Sequence, residues 1–479
     1  MKHTEQYPKN KTKTMSSPGL KIFIFISASI CIIYFTLSLF LVPNSTFLHF
    51  SVSLQGILPP TSLEHIVFGI AATDKSWPKR KGYVRLWWKP QLMRGCVFLE
   101  TKPPPNRTLD KDYENSLPPV CISRDTSQFS YTFRGGTRSV IRIARIVSEI
   151  VALNHTNVRW FVFGDDDTMF FAENLVKVLS KYDHDLWYYI GSNSESYRQN
   201  TIFSYNMAFG GAGFAISYPL AKVLAKVFDS CIERYPHLYG SDGRISACIA
   251  ELGIGLTREM GFHQMDIRGD IFGILASHPL TPLISLHHLD VTNPIFPNMS
   301  NLKALEHLNK AVKHDPHRII QQTVCYDRWF SWTVSVSWGY AVQVFGKHVH
   351  LPDSLRAQQT FQPFQTGNLL HTLFDINTRE HDPDACRRPL IFFMEKVSST
   401  QGKIKSTYKQ MTSDNCTRDM ATPRRLDEIR VSSQKFDLDN KQLLAPRRQC
   451  CDILPPTQRN VMELAIRECK GEELIYMHP

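Results

Sequence analysis

Three consecutive aspartates, Asp165, Asp166 and Asp167, follow directly on the apolar run Trp160-Phe161-Val162-Phe163-Gly164. The pattern reads as a buried strand that ends abruptly in carboxylates. In open α/β sheets ligands gather at the carboxyl ends of the strands, so acids placed there stand where a substrate would. Like charges this close repel by about 1 kcal/mol per pair at 4 Å even in bulk water, and by more where water is excluded. A hard divalent cation relieves that repulsion, and Mg²⁺ or Mn²⁺ bound by carboxylates keeps open positions for substrate phosphates. Strand alternation places Asp165 and Asp167 on one face and Asp166 on the other. An acidic loop or a helix N-cap is the plain alternative.

Three further segments carry residues of chemical interest. Gly210-Gly211-Ala212-Gly213 is a run of small residues that lets backbone approach a ligand or another strand closely. His287 and His288 are adjacent in an apolar stretch, and either offers an imidazole nitrogen. Asp242, in Tyr239-Gly240-Ser241-Asp242-Gly243, is a carboxylate able to serve as a general base or simply to cap a helix.

The elements that must position these residues alternate between strand and helix. A strand is expected at His65–Ala71, a helix through Trp87 and Trp88, and a strand at Cys96–Glu100. A helix from about Thr137 to Leu153 leads into the aspartate strand. A basic stripe on it, Arg138, Arg142 and Arg145, reads as a solvated face or as a contact to an anion. Helical spacing resumes at Leu175, Val178, Leu179 and Tyr182, and strands are expected at Trp187–Ile190 and Met207–Ser217. Ser217 followed by Pro219 opens another helix, and Ser241 or Asp242 a shorter one that Gly253 ends. From Phe330 to Val344 apolar residues hold every second position, the signature of half-buried antiparallel strands.

At 479 residues and 43% hydrophobic composition the chain is long enough for several domains and apolar enough for a sizeable core. Ile22 to Val42 is uncharged and would span about 31 Å as a helix, enough for a bilayer core. Five lysines precede it, so the positive-inside rule puts residues 1–21 in the cytosol and the remainder in a lumen. A cleaved signal peptide fits less well, because the apolar stretch is long and no A-x-A-like site follows. Of the eleven cysteines, Cys31 falls in this anchor. The other ten divide into four and six, which lets each half of the chain close its own disulfides, with the pairing open. Sequons at Asn44, Asn106, Asn154, Asn298 and Asn415 suit the secretory route. The net charge of +11 does not point to nucleic acid, since no basic run is interleaved with stacking aromatics.

Taken in order, these features resemble the Fringe and core-1 β1,3-galactosyltransferase group. The residues that carry the likeness are Phe161-Val162-Phe163-Gly164-Asp165-Asp166-Asp167-Thr168, Gly210-Gly211-Ala212-Gly213-Phe214-Ala215-Ile216 and Pro282-Leu283-Ile284-Ser285-Leu286-His287-His288-Leu289-Asp290. With its C-terminal part, the chain is most similar to plant Fringe-related proteins that carry a C-terminal domain of unknown function. The resemblance implies an α/β, GT-A-like nucleotide-sugar-binding domain with a second, β-rich domain after an N-terminal transmembrane helix. The expected boundaries are tail 1–21, anchor 22–42, stem 43–62, Fringe-like domain 63–299 and disulfide-containing domain 300–479. It further implies a single-pass type II protein of the Golgi membrane with a lumenal catalytic part. Such an enzyme would use a UDP-sugar donor, Mn²⁺ and a glycan or glycoconjugate acceptor, with inversion and a β1,3 linkage.

By the same analogy Asp167 binds the metal, Asp165 approaches the nucleotide ribose and Asp166 shapes the metal site. Gly210, Gly211 and Gly213 floor a donor or acceptor pocket, and His288 supplies the nitrogen ligand, with His287 competing. Asp242 takes the family's place for the base. Its setting is less acidic than the family motif, which leaves Asp266, Asp270 and Glu251 as alternatives. A non-catalytic lumenal protein that holds a nucleotide sugar or glycan on the same fold is the rival reading. Metal-dependent phosphoryl transfer is less favoured, because no P-loop is present.

Overall fold

The computed structural model describes residues 18–41, 60–102, 111–367, 369–411, 416 and 422–477. Residues 1–17 of the tail, almost all of the stem and the sequons at Asn44, Asn106 and Asn415 lie outside these residues. The chain divides into two units, Met1–Pro60 and Thr61–Pro479. In the first, Pro18–Leu41 is helical. Its described side chains, Ile22, Phe25 to Tyr34 and Thr36, are exposed. Among the described residues no helix is long and apolar enough to cross a membrane, so the expected anchor is not carried by the structure.

In the second unit, Ile66–Ala71 is buried along its whole length, as a near-continuous apolar run must be when both faces of a parallel strand are covered. It pairs in parallel with Arg94–Leu99 on one side and with Trp160–Asp165 on the other, Ala71 standing opposite Asp165. The full sheet has seven strands. Their spatial order is Val120–Ile122, Arg94–Leu99, Ile66–Ala71, Trp160–Asp165, Phe214–Ser217, Tyr189–Gly191 and Leu256–Arg258. Only Phe214–Ser217 runs against its neighbours.

Alternation assigns the two faces. Val67, Phe161 and Phe163 join one core, with the helices Ser139–Ala152, Tyr218–Ile232 and Ser241–Glu251. Ile66, Phe68, Ile70, Trp160 and Val162 face the other. That second core does not stop at the α/β part. It continues through Trp77–Trp87 into Trp332, Val334, Phe392 and Ile429 of the C-terminal half. The basic stripe divides: Arg138 stays exposed, whereas Arg142 and Arg145 are buried and already paired. Arg142 is buried, donating to the carbonyls of Ala72 and Phe98 and pairing with Glu100, and Arg145 pairs with Asp229 and Glu149. Arg138 donates to the carbonyls of Thr126 and Ser127.

The C-terminal half is built on an eight-stranded sheet whose end strands are Gln322–Asp327 and Cys450–Leu454. All pairs are antiparallel except Glu428–Gln434 with Val461–Arg467. The alternating run resolves into Trp332–Ser337 and Ala341–Phe345, joined by a turn with Gly339 at φ +78°. These strands are buried on both faces, not one, because a polar layer satisfies the second. Gln322 donates to Ser335 Oγ and to the Ser354 carbonyl, and Gln343 donates to Gln358.

All ten cysteines outside the N-terminal helix form disulfides, and each half closes its own. They are Cys96–Cys121 and Cys231–Cys248 in the first half, with Cys325–Cys451, Cys386–Cys416 and Cys450–Cys469 in the second. Cys325–Cys451 spans 126 residues and ties together the two end strands of the large sheet. Replacing both cysteines with serine should cost about 2–4 kcal/mol, the usual worth of a disulfide closing a long loop. Equilibrium denaturation of the double variant checks this, with an unchanged midpoint as the contrary result.

Candidate functional site

The aspartate strand ends at Asp165, and Asp166 and Asp167 form the turn beyond it. Thr168 ties the turn down. Its hydroxyl accepts from Asp165 N and donates to the Gly211 carbonyl, both at 2.8 Å, while Trp87 Nε1 donates to its carbonyl. The next residues, Met169–Phe170, pair antiparallel with Ser285–Leu286, which runs parallel to Phe262–His263. This small sheet brings the histidine segment to the aspartates.

Within it, residues two apart share a face. Ser285 donates to the Ala212 carbonyl, and His287 turns the same way. His287 Nδ1 lies 3.3 Å from the Gln264 carbonyl, which leaves Nε2 facing the acids, 3.2 Å from Asp167 Oδ1 and 3.7 Å from Asp165 Oδ2. Asp165, Asp167 and His287 therefore converge, each with a ligand atom within 4.8 Å of the others. His288 does not join them. Its backbone is left-handed at φ +53°, its Nδ1 lies 3.2 Å from Asp266 Oδ1, and its ring stacks on Phe364. Strand phase thus brings His287, and not the expected His288, to the aspartates.

The glycine run is packed closely against the side chains of the site. A Cβ at Gly211 would lie 2.1 Å from His287 Cε1, and one at Gly210 would lie 2.5 Å from Asp242 Oδ1. Gly213 is left-handed, at φ +86°, and presses on Phe170. Gly210 and Gly211 make room for the side chains of Asp242 and His287, and Gly210 also lines the small cavity beside them.

Asp242 lies in the first turn of Ser241–Glu251. It accepts from Gly210 N at 3.0 Å and from Ser241 Oγ at 3.0 Å, and burial raises its pKa. It shares with Asp165 and Gly210 the wall of a cavity of about 20 Å³, enough for one water. Asp266 is nearby and buried, accepting from Ser194 Oγ at 2.7 Å. Asp270 accepts instead from Phe272 N, and Glu251 is taken up by Arg234 and Tyr235 at the far end of its helix.

Arg80, on the helix Trp77–Trp87, bridges Asp166, Asp167 and Asp290, its guanidinium 3.3 Å from Asp166 and 3.2 Å from Asp167. Nothing in the linear sequence singles it out: it is one basic residue in Lys79-Arg80-Lys81, brought to the acids by helix packing. Burial works to raise the pKa of Asp167, yet His287 and Arg80 outweigh it and hold its carboxyl well below the usual range. Asp165 has no such support. Burial, with Asp167, Asp242 and Asp166 nearby, outweighs His287 and pushes it up to about 7. Burial also raises Asp166. For His287, burial works downwards, but Asp167 and Asp165 win and hold it up at about 9.

These residues suit a divalent cation. Both carboxylate oxygens of Asp167 are buried without a well-aligned hydrogen-bond donor despite the cations at ion-pair distance, and so is Asp166 Oδ2. Two carboxylates and an imidazole whose other nitrogen is held by a backbone carbonyl make an oxygen-rich set of the kind Mn²⁺ accepts. Without a metal, a base whose folded pKa is raised contributes stability in full below about pH 6.5 and loses it as pH rises through about 9. An NMR titration of metal-free protein should accordingly show a histidine with a midpoint near 9 that disappears in Asp167→Asn. A His287 midpoint below 7 would contradict the ion pair.

Comparison with known proteins adds a family. Among solved structures the chain is similar to an active-site mutant of LgtC at 11% identity, covering 50% of this chain and 92% of that one, with a TM-score of 0.30. It is similar also to the galactosyltransferase LgtC in complex with donor and acceptor sugar analogs, at 11% identity, the same coverage and a TM-score of 0.29. A third is the mannosyltransferase PcManGT from Pyrobaculum calidifontis in complex with GDP-Man and Mn²⁺, at 10% identity, 43% of this chain, 58% of that one and 0.26. At these scores the likeness carries no functional argument. The family model described as "Protein of unknown function, DUF604" matches residues 199–451, which takes in the glycine run, Asp242, both histidines and most of the C-terminal sheet. That match covers more than half of the chain, which belongs to this family.

Proposed function

We propose that the protein is a glycosyltransferase that moves a sugar from a UDP-sugar donor to a glycan or glycoconjugate acceptor. The observation that carries the reading is the convergence of Asp165, Asp167 and His287 at the carboxyl end of a parallel strand, from segments more than a hundred residues apart. Asp165, Asp167 and His287 would hold Mn²⁺, with Asp166 and Arg80 fixing the turn. When bound, the cation supplies Lewis-acid neutralisation of charge on the departing diphosphate. The donor would lie over the rim of the site, since the space beside Asp165 has room for only about one water.

Asp242 is the base in this account. Its raised pKa brings it closer to the range in which a carboxylate takes a proton efficiently, and Gly210 N and Ser241 Oγ fix its orientation. One base acting on an acceptor hydroxyl is the requirement of direct displacement, hence inversion; the β1,3 linkage rests on the Fringe-like motifs. Five disulfides, and sequons exposed at Asn154 and Asn298, support a lumenal catalytic part, while type II anchoring in the Golgi membrane rests only on the sequence pattern of the uncharged segment 22–42 and the lysines before it. One observation favours a second reading, a non-catalytic binding protein: Arg80 and His287 already balance Asp167 without a metal. UDP release from a UDP-sugar, stopped by a chelator, separates the two.

Changes in the outer shell of metal sites already cost about 10–100-fold in affinity, so removing a ligand should cost at least that. Calorimetric titration with Mn²⁺ should show such a loss for His287→Ala and little change for His288→Ala; the reverse order would reject the ligand set. Asp242→Asn should abolish transfer while UDP still binds in the presence of Mn²⁺. Normal turnover by that variant would remove Asp242 from the base role.

A further inference from the structure

A large cavity lies far along the chain from the aspartates. It measures about 1190 Å³, opens on the C-terminal sheet, and shares no lining residue with the acidic site. That volume exceeds what single small ligands usually occupy, roughly 300–1,000 Å³. Its wall includes Trp329, whose side chain is left 83% exposed, together with Phe330 and the partly exposed Tyr476. Exposing a tryptophan this fully forfeits the burial that large aromatics ordinarily gain, and such exposure marks ligand or partner surfaces. Phe330 stacks on Trp332 at 4.7 Å, and Arg425 lies over both rings, 4.5 Å from the first and 5.6 Å from the second.

Charge sorts the same wall. Its acids are satisfied internally: Asp452 and Glu473 pair with Arg467, Asp327 accepts from Phe330 N, and Asp427 accepts from Asn460. Arg328, Arg425 and Arg459 line the cavity with no carboxylate partner among the described residues. The cavity therefore presents flat aromatic faces beside uncompensated guanidinium groups. Aromatic faces pack against the apolar faces of sugar rings, while guanidinium forks take carboxylates in bidentate geometry. Nucleic acid has similar needs, but a chain holding five disulfides folds in an oxidising compartment where nucleic acid is not a partner.

We propose that this cavity is a second, non-catalytic binding site for an oligosaccharide bearing carboxylates, several linked units long. The choice of saccharide rests on the proposed glycosyl transfer, for which the cavity would hold a stretch of acceptor chain away from the acidic site. Trp329 supplies the exposed stacking face, and Arg328, Arg425 and Arg459 read the acid groups.

The test uses the full chain purified in detergent and a hexamer of galacturonic acid as probe, with a neutral hexasaccharide and inorganic polyphosphate as comparators. The galacturonate hexamer should bind and quench tryptophan fluorescence, the neutral hexamer should bind at least tenfold more weakly, and polyphosphate should not displace the sugar. Trp329→Ala and Arg425→Gln should each weaken the hexamer at least tenfold with melting temperature and Mn²⁺-dependent UDP affinity unchanged. No binding, equal binding of the neutral hexamer, displacement by polyphosphate, or indifference to both substitutions would each overturn the site. UDP affinity is read separately, so loss of the donor reading and loss of this site give different results.

Discussion

Burying carboxylates side by side is the constraint around which the α/β part is arranged. An isolated ionised carboxylate in such surroundings is pushed toward its protonated form, and burial with neighbouring carboxylates raises the pKa of Asp165 to about 7. Asp167 stays charged because two cations from distant elements reach it: Arg80 from the helix after the first strand and His287 from the small sheet. Everything between serves that meeting. The seven-stranded sheet delivers the acids to its rim, Thr168 pins the turn, Met169–Phe170 recruits the histidine strand, and two glycines clear the space for His287 and Asp242. The result is a site with buried carboxylate oxygens still lacking aligned donors, which is the condition in which a divalent cation gains most.

Much of this was legible in the sequence because it depends on local periodicity. The apolar run before the aspartates, the helix over Ser139–Ala152 and the division of cysteines between the halves all follow from pattern and parity. What escaped depends on contacts between remote segments. Arg80 looks like any surface lysine or arginine until a helix packs it over the turn. His287 and His288 are equivalent in a string of letters; the phase of Ser285 could have distinguished them, had its partner Ala212 been known. Of the basic stripe, Arg138 is exposed as a solvated face would have it, but Arg142 and Arg145 are buried, because arginine can enter the interior when carbonyls and carboxylates are ready to receive it, and those receivers come from three other elements.

The C-terminal half is bound to the α/β part by more than sequence. Its helix Asn301–Val312 packs on Trp77–Trp87, with Asn309 donating to the Leu86 carbonyl and Leu302 filling the space over Gly82. The core on that face is continuous from Phe68 to Ile466. Disturbance in the large sheet therefore reaches the helix that carries Arg80. A strand pattern expected to be half-buried proved buried on both faces, since hydrogen-bonded glutamines and serines let polar positions enter the interior.

The most direct measurement is a crystal of the protein soaked with Mn²⁺ and UDP, examined by anomalous diffraction at the manganese edge. The account predicts one strong peak within coordination distance of Asp167 and His287 Nε2, with UDP phosphate oxygens on its open side. Ordered protein with no peak there, and with Arg80 still bridging Asp166 and Asp167, would contradict it.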